Sequence, residues 1–364
     1  MQDIVTELKN LKKSISPRIL DFEVIDHLKK SQLPILLWGC GYYTEYIYQI
    51  LIRNKIKIDG VFIDEINKDL KFHEFKVLSF DEIKERYTNI IVVRGNGNIE
   101  RESFYKSIEI IETIYNFFDL MGFGWYLNDE KLDEYSETLN EMFNEYVDYE
   151  SKESFIAYLK SRYFNDWIYI QSHVCKNMYF PEFIKINNQE SFIDCGAFDG
   201  DTLKLFLNKT SEWQNYIAFE PSYKPHEDLN KYIETHHIQN VKTHKIGVWE
   251  KKTTLSFVEE NDISRIVEGE VKNGTKIEVD AIDNLCSDVK VTYIKMDLEG
   301  SELKALEGAK HTILKNKPKL AISIYHKPSD LINIYLFIKN MNLDYKFYFR
   351  IHTTVGSDAV LYAI

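Results

Sequence analysis

Short apolar runs alternate along the chain with segments whose apolar residues recur every third or fourth position, the period of an amphipathic helix. The runs predict buried strands, and the segments between them predict helices that cover a sheet. The predicted strands are 34–38, 58–63, 89–93, 191–194, 216–219, 241–246, 291–296 and 319–325. Because strands and helices alternate, we expect a parallel α/β sheet in each half of the chain.

Other strands show a different pattern. Apolar and polar residues alternate at 253–258 and 276–279, as in half-exposed antiparallel strands. Two last runs, 344–352 and 358–364, predict a hairpin that closes the edge of a seven-stranded C-terminal sheet. The predicted fold class is therefore α/β, in three regions. These are a smaller Rossmann-like domain at 1–125, a helical connector at 126–190 and a second α/β domain at 191–364.

The charge of the chain is unevenly distributed. The 364 residues have a net charge of −12, which disfavours a duplex nucleic-acid partner, since such a partner needs a basic face. Residues 129–153 hold ten acidic residues and two lysines, a local net charge of −8. Within 128–160 the apolar residues form one stripe with glutamates opposite, so we predict an acidic helix pair with a solvated face.

Cysteine spacing and apolar content limit the possible metal sites, disulfides and cellular location of the protein. The cysteines lie far apart without CxxC spacing, so neither a zinc site nor a disulfide framework is predicted. They are Cys40, Cys175, Cys195 and Cys286. Charged residues interrupt the first twelve positions, and no apolar stretch approaches the length of a membrane span. We expect a soluble cytoplasmic protein with no membrane span.

The stretch 191–202 reads Ser-Phe-Ile-Asp-Cys-Gly-Ala-Phe-Asp-Gly-Asp-Thr. It predicts a strand, a tight glycine turn and the start of a helix, as in the first βα unit of a nucleotide-binding sheet. The next strand, 216–219, ends in Glu220. A carboxylate at that position holds the adenosine ribose in such folds.

The charges of this turn narrow the choice of ligand. Asp194, Asp199 and Asp201 crowd it, and a doubly anionic diphosphate beside three carboxylates would be repelled. S-adenosylmethionine has no phosphate and carries an ammonium and a sulfonium group. Its own carboxylate could accept hydrogen bonds from free N–H groups of the turn and helix start. The turn therefore favours a methyl donor over a dinucleotide.

A second glycine pair lies in the N-terminal half. Gly39 and Gly41 match the first two glycines of the dinucleotide fingerprint, and Asp64 stands at the ribose position. Thr44 replaces the third glycine. The domain at 1–125 is thus a candidate for binding a nucleotide or nucleotide sugar, and the alternative is a domain kept for assembly or for covering the second site.

Five motifs of the C-terminal half form a recognisable set. They are Tyr179-Phe-Pro181, Phe192-Ile-Asp-Cys-Gly-Ala-Phe-Asp-Gly-Asp-Thr202, Phe219-Glu-Pro221, Tyr293-Ile-Lys-Met-Asp-Leu-Glu-Gly-Ser-Glu302 and Ser323-Ile-Tyr-His326. With them, residues 175–364 resemble the FkbM-type methyltransferase family. The resemblance implies a class I methyltransferase fold, S-adenosylmethionine as donor, and O-methylation of a hydroxyl, often on a sugar or secondary metabolite. The N-terminal half resembles the Rossmann-type domain of some longer members.

Candidate donor contacts follow from the turn and from strand ends. The main set is Asp194, Gly196, Ala197, Phe198, Gly200, Asp201, Thr202, Glu220 and Pro221. Further candidates for adenosine or methionine contacts are Gly247, Val248, the loop 261–264 with Ser264, and Asp297.

Candidate catalytic residues follow the fourth and fifth strands of the second sheet. His326 is the expected general base, since an imidazole of ordinary pKa suits proton transfer near pH 7. Asp297 and Glu299 complete the set, Asp297 by positioning donor or acceptor. A histidine that merely caps the next turn is the alternative for His326, and helix-start stabilisation is expected for Glu302. Asp297, Glu299 and His326 could also hold magnesium, but their spacing is no recognisable metal motif, and no metal is assigned.

Two other function classes stay open. One is an NAD(P)-linked nucleotide-sugar oxidoreductase that uses Gly39, Gly41 and Asp64, although a Tyr-x-x-x-Lys pair is missing around Tyr42 and Tyr105. The other is a non-catalytic scaffold in glycan assembly. The expected partner is a small-molecule or sugar hydroxyl acceptor, and a homodimer is compatible with the sequence.

Overall fold

The computed structural model describes residues 3–14, 21–64, 69–95, 108–116, 127–164, 169–260, 263–267, 269, 274–353 and 358–364. The chain divides into two compact units. One comprises Leu11–Tyr126 and Phe164–Ile168, and the other comprises Met1–Asn10, Leu127–Tyr163 and Tyr169–Ile364.

The first unit contains a six-stranded sheet. Its strands are β1 (Ile35–Trp38), β2 (Gly60–Ile63), β3 (Lys71–Phe72), β4 (Phe75–Ser79), β5 (Ile90–Arg94) and β6 (Ile111–Asn116). The order across the sheet is β3-β4-β2-β1-β5-β6, and only β3 runs antiparallel to its neighbour. Helices Asp21–Lys30, Tyr42–Arg53 and Phe80–Arg86 belong to this unit, whereas residues 4–10 of helix Ile4–Ser14 belong to the second unit.

Both faces of this sheet are covered. Ile35 and Leu37 of β1 belong to one apolar cluster, whereas Leu36 and Trp38 belong to another. Successive side chains of a strand point to opposite faces, so a parallel strand that is buried on both sides reads as a continuous apolar run. The predicted parallel α/β sheet of the N-terminal half is confirmed.

The second unit contains a seven-stranded sheet and a four-stranded sheet. Their strands are β7 (Ser191–Cys195), β8 (Asn215–Phe219), β9 (Val241–His244), β10 (Gly247–Val248), β11 (Thr253–Glu260), β12 (Ile263–Val267), β13 (Thr275–Asp280), β14 (Tyr293–Met296), β15 (Lys319–Ser323), β16 (Phe347–Ile351) and β17 (Ala359–Ala363). The large sheet has the order β16-β17-β15-β14-β7-β8-β9. Strands β9, β8, β7, β14 and β15 are parallel, and β17 and β16 form the antiparallel edge. This confirms the predicted seven-stranded sheet with its terminal hairpin.

The alternating runs near 253 and 276 are strands of the smaller sheet, whose order is β10-β13-β11-β12. Strand β11 pairs antiparallel with both β12 and β13, as the alternation predicts. The helices of the second unit are Asp129–Glu134, Ser136–Glu145, Tyr149–Tyr163, Asp201–Leu207, Tyr223–Thr235, Ile282–Leu285, Glu302–Glu307, Lys310–Asn316 and Asp330–Lys339, with a 3₁₀ turn at Gln171–His173.

Two helical regions differ from the predicted pattern. The expected helix pair at 128–160 is three helices, because Tyr135 ends the first and Tyr146 the second. The expected single helix at 301–314 is broken at Gly308, whose N–H bonds to the Lys304 carbonyl at 3.1 Å. A side chain at Gly308 would overlap the carbonyl oxygen of Trp249, so this close approach requires glycine.

A charged pair joins the two central strands of the large sheet. Lys295 of β14 and Asp194 of β7 are register partners, and their side chains are 2% and 0% exposed. Lys295 Nζ lies 3.1 Å from Asp194 Oδ1 and donates to the Gly196 carbonyl at 2.7 Å. The Tyr216 hydroxyl donates to Asp194 Oδ2 at 2.6 Å. A buried ion pair tolerates its desolvation only with such additional hydrogen bonds.

We expect Lys295→Met to lower the free energy of unfolding by about 3–5 kcal/mol, because it leaves the Asp194 carboxylate buried without its cation. Urea denaturation followed by circular dichroism measures the change. Lys224→Met is the matched control, since the exposed Lys224 pairs only with acids on its own helix and should change stability by about 0.5 kcal/mol or less.

Asp194→Asn combined with Lys295→Met should recover part of the loss, since neither charge then remains. If Lys295→Met were no more destabilising than the Lys224 control, the buried pair would have no role in holding the strands together.

Candidate functional site

The site lies where the strand order of the large sheet reverses. From β7 the chain runs outward through β8 and β9 on one side, and later through β14 and β15 on the other. The crevice outside the carboxyl ends of β7 and β14 is therefore the topological switch point, where open α/β sheets bind ligands. Cys195 and Met296 are the paired last residues of these strands.

The turn after β7 needs its glycines. Gly196 has φ +79° and Gly200 has φ +89°, in the left-handed region that disfavours side chains. A side chain at Gly196 would also overlap the carbonyl oxygen of Asp297. The turn can therefore pass against the end of β14 only because residue 196 is glycine.

Several N–H groups of this turn are already hydrogen-bonded within the protein. Those of Gly196 and Ala197 donate to the Phe219 carbonyl at 3.0 and 3.1 Å, and that of Gly200 donates to the Ala197 carbonyl at 2.9 Å. The Thr202 N–H bonds to Asp201 Oδ1 at 2.6 Å. These four N–H groups are therefore not free for the donor carboxylate, and its binding to other N–H groups of the turn and helix start stays a prediction.

Glu220 joins the ends of β7 and β8. It is 6% exposed, and its Oε2 accepts the Phe198 N–H at 3.0 Å while Oε1 accepts the Ser222 N–H at 2.8 Å. Burial raises the pKa of Glu220 against the effect of these hydrogen bonds. Phe198 itself is strained, with φ +45° and a ring that is 52% exposed. The carboxylate therefore holds a strained turn that exposes the Phe198 ring, and a contact with a ribose stays a prediction.

The three aspartates of the turn have different surroundings. Asp194 is fully buried and paired with Lys295, so its carboxylate does not face the crevice. Asp201 is exposed, and Asp199 is half-buried, with its Oδ2 lying 3.2 Å from Lys204 Nζ. Two of the three predicted anions are thus open to a ligand.

The remaining predicted donor contacts are spread over the second unit. Pro221 directly follows Glu220 and is partly buried. Gly247 and Val248 form β10 and are buried against β13 of the smaller sheet. Ser264 lies in β12, where only its backbone is described, and Asn261 and Asp262 lie outside the described residues. Ligand contacts at these positions stay predictions.

A carboxylate–imidazole cluster follows the ends of β14 and β15. His326 Nε2 lies 3.5 Å from Asp297 Oδ1 and 3.4 Å from Glu299 Oε2, and Nδ1 lies 2.9 Å from Glu302 Oε1. The imidazole is 8% exposed and Glu302 is fully buried, whereas Glu299 is 36% exposed. The three predicted catalytic residues therefore lie together, with Glu302 beneath them.

Two tyrosines that sequence reasoning did not single out hold Asp297. The Tyr179 hydroxyl donates to Asp297 Oδ2 at 2.7 Å, and the Tyr325 hydroxyl donates to Oδ1 at 3.3 Å. Tyr179 has φ +63°, and its backbone is fixed by the hydroxyls of Tyr293 and Tyr362. The motifs Tyr179-Phe-Pro181 and Ser323-Ile-Tyr-His326 contain these two tyrosines, but neither motif indicated a contact with Asp297.

The cluster shifts the acidity of its own members. Burial would lower the pKa of His326, but the carboxylates of Glu302, Asp297 and Glu299 outweigh it and raise that pKa to about 10. The expected ordinary pKa of His326 is therefore wrong. Burial and neighbouring carboxylates raise the pKa of Glu299 to about 7, against the pull of His326. The pKa of Asp297 is lowered despite burial, by the charges of His326 and Lys295 and by the hydrogen bond from Tyr179.

The glycine pair of the first unit has a different local structure from the dinucleotide fingerprint. Gly39 has φ +124° and follows β1, and Asp64 follows β2. Thr44 is fully buried and its hydroxyl donates to the Gly95 carbonyl at 2.9 Å. A side chain at Gly95 would meet Thr44 Cα at 2.7 Å. The small residue that this close packing requires is therefore Gly95, directly after β5, and not residue 44. Nucleotide binding here stays a prediction.

None of the described helices combines the length and the apolar composition of a membrane span.

Comparisons with known proteins agree on one family. Residues 194–347 match the model of the Methyltransferase FkbM domain. The crystal structure of Methyltransferase FkbM from Methylobacillus flagellatus KT is 19% identical, covers 100% of this chain and 98% of its own, and superposes with a TM-score of 0.80. No curated protein sequence matches this chain.

Two further solved structures are less similar to this chain. An rRNA methylase from Streptococcus thermophilus is 14% identical over 49% of this chain and 87% of its own, with a TM-score of 0.32. Aeropyrum pernix fibrillarin in complex with S-adenosyl-L-methionine is 10% identical over 51% of this chain and 70% of its own, with a TM-score of 0.34. Because residues 194–347 match this family model, the chain carries a methyltransferase domain of the FkbM family and is a methyltransferase.

Proposed function

We propose that this chain transfers a methyl group from S-adenosylmethionine to a hydroxyl of a sugar, a glycan precursor or a related metabolite. The observation that carries this proposal is the cluster of Asp297, Glu299 and His326 at the carboxyl ends of β14 and β15. It lies beyond the glycine turn after β7, on the other side of the switch point. A hydroxyl bound between the two would have a methyl donor on one side and proton acceptors on the other.

The turn after β7 suits a cationic ligand better than a diphosphate. A diphosphate needs free N–H groups, and those of Gly196, Ala197 and Gly200 are already bonded to protein carbonyls. The carboxylates of the half-buried Asp199 and the exposed Asp201 would repel a diphosphate and attract a sulfonium or ammonium group. S-adenosylmethionine supplies a methyl group on a sulfonium, from which sulfur leaves without further activation.

Glu220 is the expected ribose acceptor. Each of its oxygens accepts one backbone N–H, so each keeps a lone pair for a ribose hydroxyl. The same carboxylate holds Phe198 at the rim of the turn, where its exposed ring can cover part of the donor.

Glu299 is the expected proton acceptor. It is 36% exposed, whereas the His326 side chain is 8% exposed, so Glu299 is the member that a bound hydroxyl can reach. Its backbone is held at φ +52°, a strained conformation of the kind that clusters at active sites. His326, 3.4 Å away, positions the carboxylate.

The transfer then proceeds in line. The hydroxyl proton passes to Glu299 as the oxygen bonds to the methyl carbon, and the carbon–sulfur bond breaks with its electron pair left on sulfur. Asp297, held by Tyr179 and Tyr325, fixes the side of the crevice that faces the donor. The carbohydrate class of the acceptor rests on the family resemblance, and the acidic cluster favours an acceptor without phosphate beside the reacting hydroxyl.

We expect Glu220→Ala to weaken S-adenosylmethionine binding on the order of 10- to 100-fold, because the ribose loses a charged acceptor and the turn loses the Phe198 contact. Isothermal titration calorimetry on the full chain measures the affinity. Glu227→Ala is the control, since Glu227 lies exposed on the following helix and should keep wild-type affinity.

Donor affinity that is unchanged in Glu220→Ala would remove Glu220 from the ribose site. Tight binding of NADH by the wild type at the same turn would instead favour the oxidoreductase alternative.

We expect Glu299→Gln to slow methyl transfer by about 10²- to 10⁴-fold while donor affinity stays within about twofold, because glutamine keeps the shape but cannot accept the proton. Release of S-adenosylhomocysteine in the presence of a panel of sugars and nucleotide sugars measures turnover. Glu307→Gln, on the helix that begins at Glu302 and paired with Lys304, is the matched control.

Full turnover in Glu299→Gln would exclude it as the proton acceptor. A wild-type chain that binds the donor but methylates no hydroxyl compound would count against the O-methyltransferase proposal itself.

A further inference from the structure

We propose that Asp297, Glu302 and His326 form a site for a divalent cation that accepts both oxygen and imidazole nitrogen ligands, of which Mn²⁺ is the probe we name. One carboxylate oxygen of each acid and one ring nitrogen of His326 all lie within 4.8 Å of one another. The inference deepens the proposed O-methyl transfer, because the cation would lie beside the acceptor hydroxyl.

One side of the imidazole has the spacing of ligands that share a cation. Ligands bonded at about 2.1–2.2 Å to one ion are separated by about 3.0–3.6 Å in octahedral or tetrahedral geometry. His326 Nε2 lies 3.5 Å from Asp297 Oδ1, within that range, whereas the other ring nitrogen, Nδ1, lies at a hydrogen-bond distance of 2.9 Å from Glu302 Oε1. The imidazole or the Glu302 side chain would have to turn to bring one ring nitrogen and both carboxylates around an ion, and one ligand atom of each residue already lies within 4.8 Å of the others.

This group of side chains contains buried atoms without hydrogen-bond partners. Glu302 is fully buried, and although Oε1 accepts the Leu298 N–H at 2.7 Å, Oε2 has no hydrogen-bond partner among the described residues. Neither ring nitrogen of the buried His326 makes a well-aligned hydrogen bond there either. A buried polar atom without a partner is costly, and a bound ion is one of the few arrangements that satisfies it.

Asp297 is arranged as metal ligands usually are. Ligating carboxylates are oriented by hydrogen bonds from a surrounding shell, and Tyr179 and Tyr325 provide two such bonds. Both tyrosines are anchored on the second unit, Tyr179 through the hydroxyls of Tyr293 and Tyr362. The carboxylate is thus held in one orientation before any ion arrives.

The ligand atoms select the type of cation. Mg²⁺ and Ca²⁺ prefer all-oxygen sites, whereas an imidazole suits Mn²⁺, Fe²⁺ or Zn²⁺. Two carboxylates with one imidazole therefore favour a Mn²⁺-like ion over Ca²⁺. Such an ion would bind the acceptor oxygen and lower the pKa of its hydroxyl, while the proton still passes to Glu299.

The test is the binding of Mn²⁺ to the full chain after chelator treatment, with neither donor nor acceptor present. Loss of the free Mn²⁺ electron paramagnetic resonance signal gives the stoichiometry and affinity. We expect one site, with an affinity weakened at least about tenfold in His326→Gln and in Glu302→Gln. Pulsed resonance should show coupling to an imidazole nitrogen that disappears in His326→Gln.

Asp228→Asn is the control for a nonspecific acidic surface, because Asp228 is an exposed helix residue paired with Lys224, and it should bind Mn²⁺ like the wild type. Circular dichroism and thermal melting establish that each variant is folded. If Glu302→Gln does not fold, Asp297→Asn replaces it, with the same tenfold loss expected.

Several results would overturn the site. These are no Mn²⁺ binding up to millimolar concentration, binding that His326→Gln leaves unchanged, absence of the nitrogen coupling, and Ca²⁺ that displaces Mn²⁺ at equal concentration. Since no methyl transfer is measured, failure of the proposed O-methyl transfer would leave these results intact. In a separate assay, undiminished methyl transfer in chelator, with no Mn²⁺ bound, would refute a role for the cation in the reaction.

Discussion

The buried contact between Lys295 and Asp194 is the constraint on which the rest of the site depends. It fixes the last residues of β14 and β7 in register and, through the Lys295 bond to the Gly196 carbonyl, the start of the glycine turn. In a low-dielectric interior such a pair attracts strongly but has lost its hydration, so every remaining donor and acceptor must be satisfied. Burial would lower the pKa of Lys295, but the carboxylates of Asp194, Asp297 and Asp201 raise it, so the cation persists.

That pairing also explains why the polarity of the turn could be predicted but not the roles of its acids. The chain shows three aspartates within eight residues, which is enough to disfavour a diphosphate. It does not show that the first of them faces inward, since its partner lies about a hundred positions later. Likewise, the N–H groups of Gly196 and Ala197 are bonded to the Phe219 carbonyl, an acceptor on the neighbouring strand. Local pattern specifies which residues form a turn, whereas tertiary partners decide which atoms stay available.

The same contrast between local pattern and tertiary partners applies to the fold and to the carboxylate–imidazole cluster. Apolar periodicity predicts both parallel sheets and the terminal hairpin, because consecutive residues show whether a strand is buried on one face or on both. The need for glycine at position 308 depends instead on a carbonyl of a distant loop, that of Trp249. The pKa of His326 could not be predicted either, because it is set by carboxylates that follow a different strand. Strand ends bring together residues that are far apart in the sequence, so the sequence alone does not show how their side chains affect one another's pKa values.

The charges around the acceptor constrain when the proton can leave. An alkoxide formed beside Asp297, Glu299 and Glu302 would be an anion among anions, and two like charges about 4 Å apart cost roughly 4 kcal/mol at an effective dielectric constant of about 20. Full deprotonation before transfer is therefore unfavourable unless a cation lies at the oxygen. The sulfonium charge is available only until the methyl group moves. The hydroxyl should therefore lose its proton as the new carbon–oxygen bond forms. This timing requires the donor turn and the carboxylate cluster to be held in a fixed relation. Lys295, whose charge interacts with both Asp194 and Asp297, links the turn to the cluster.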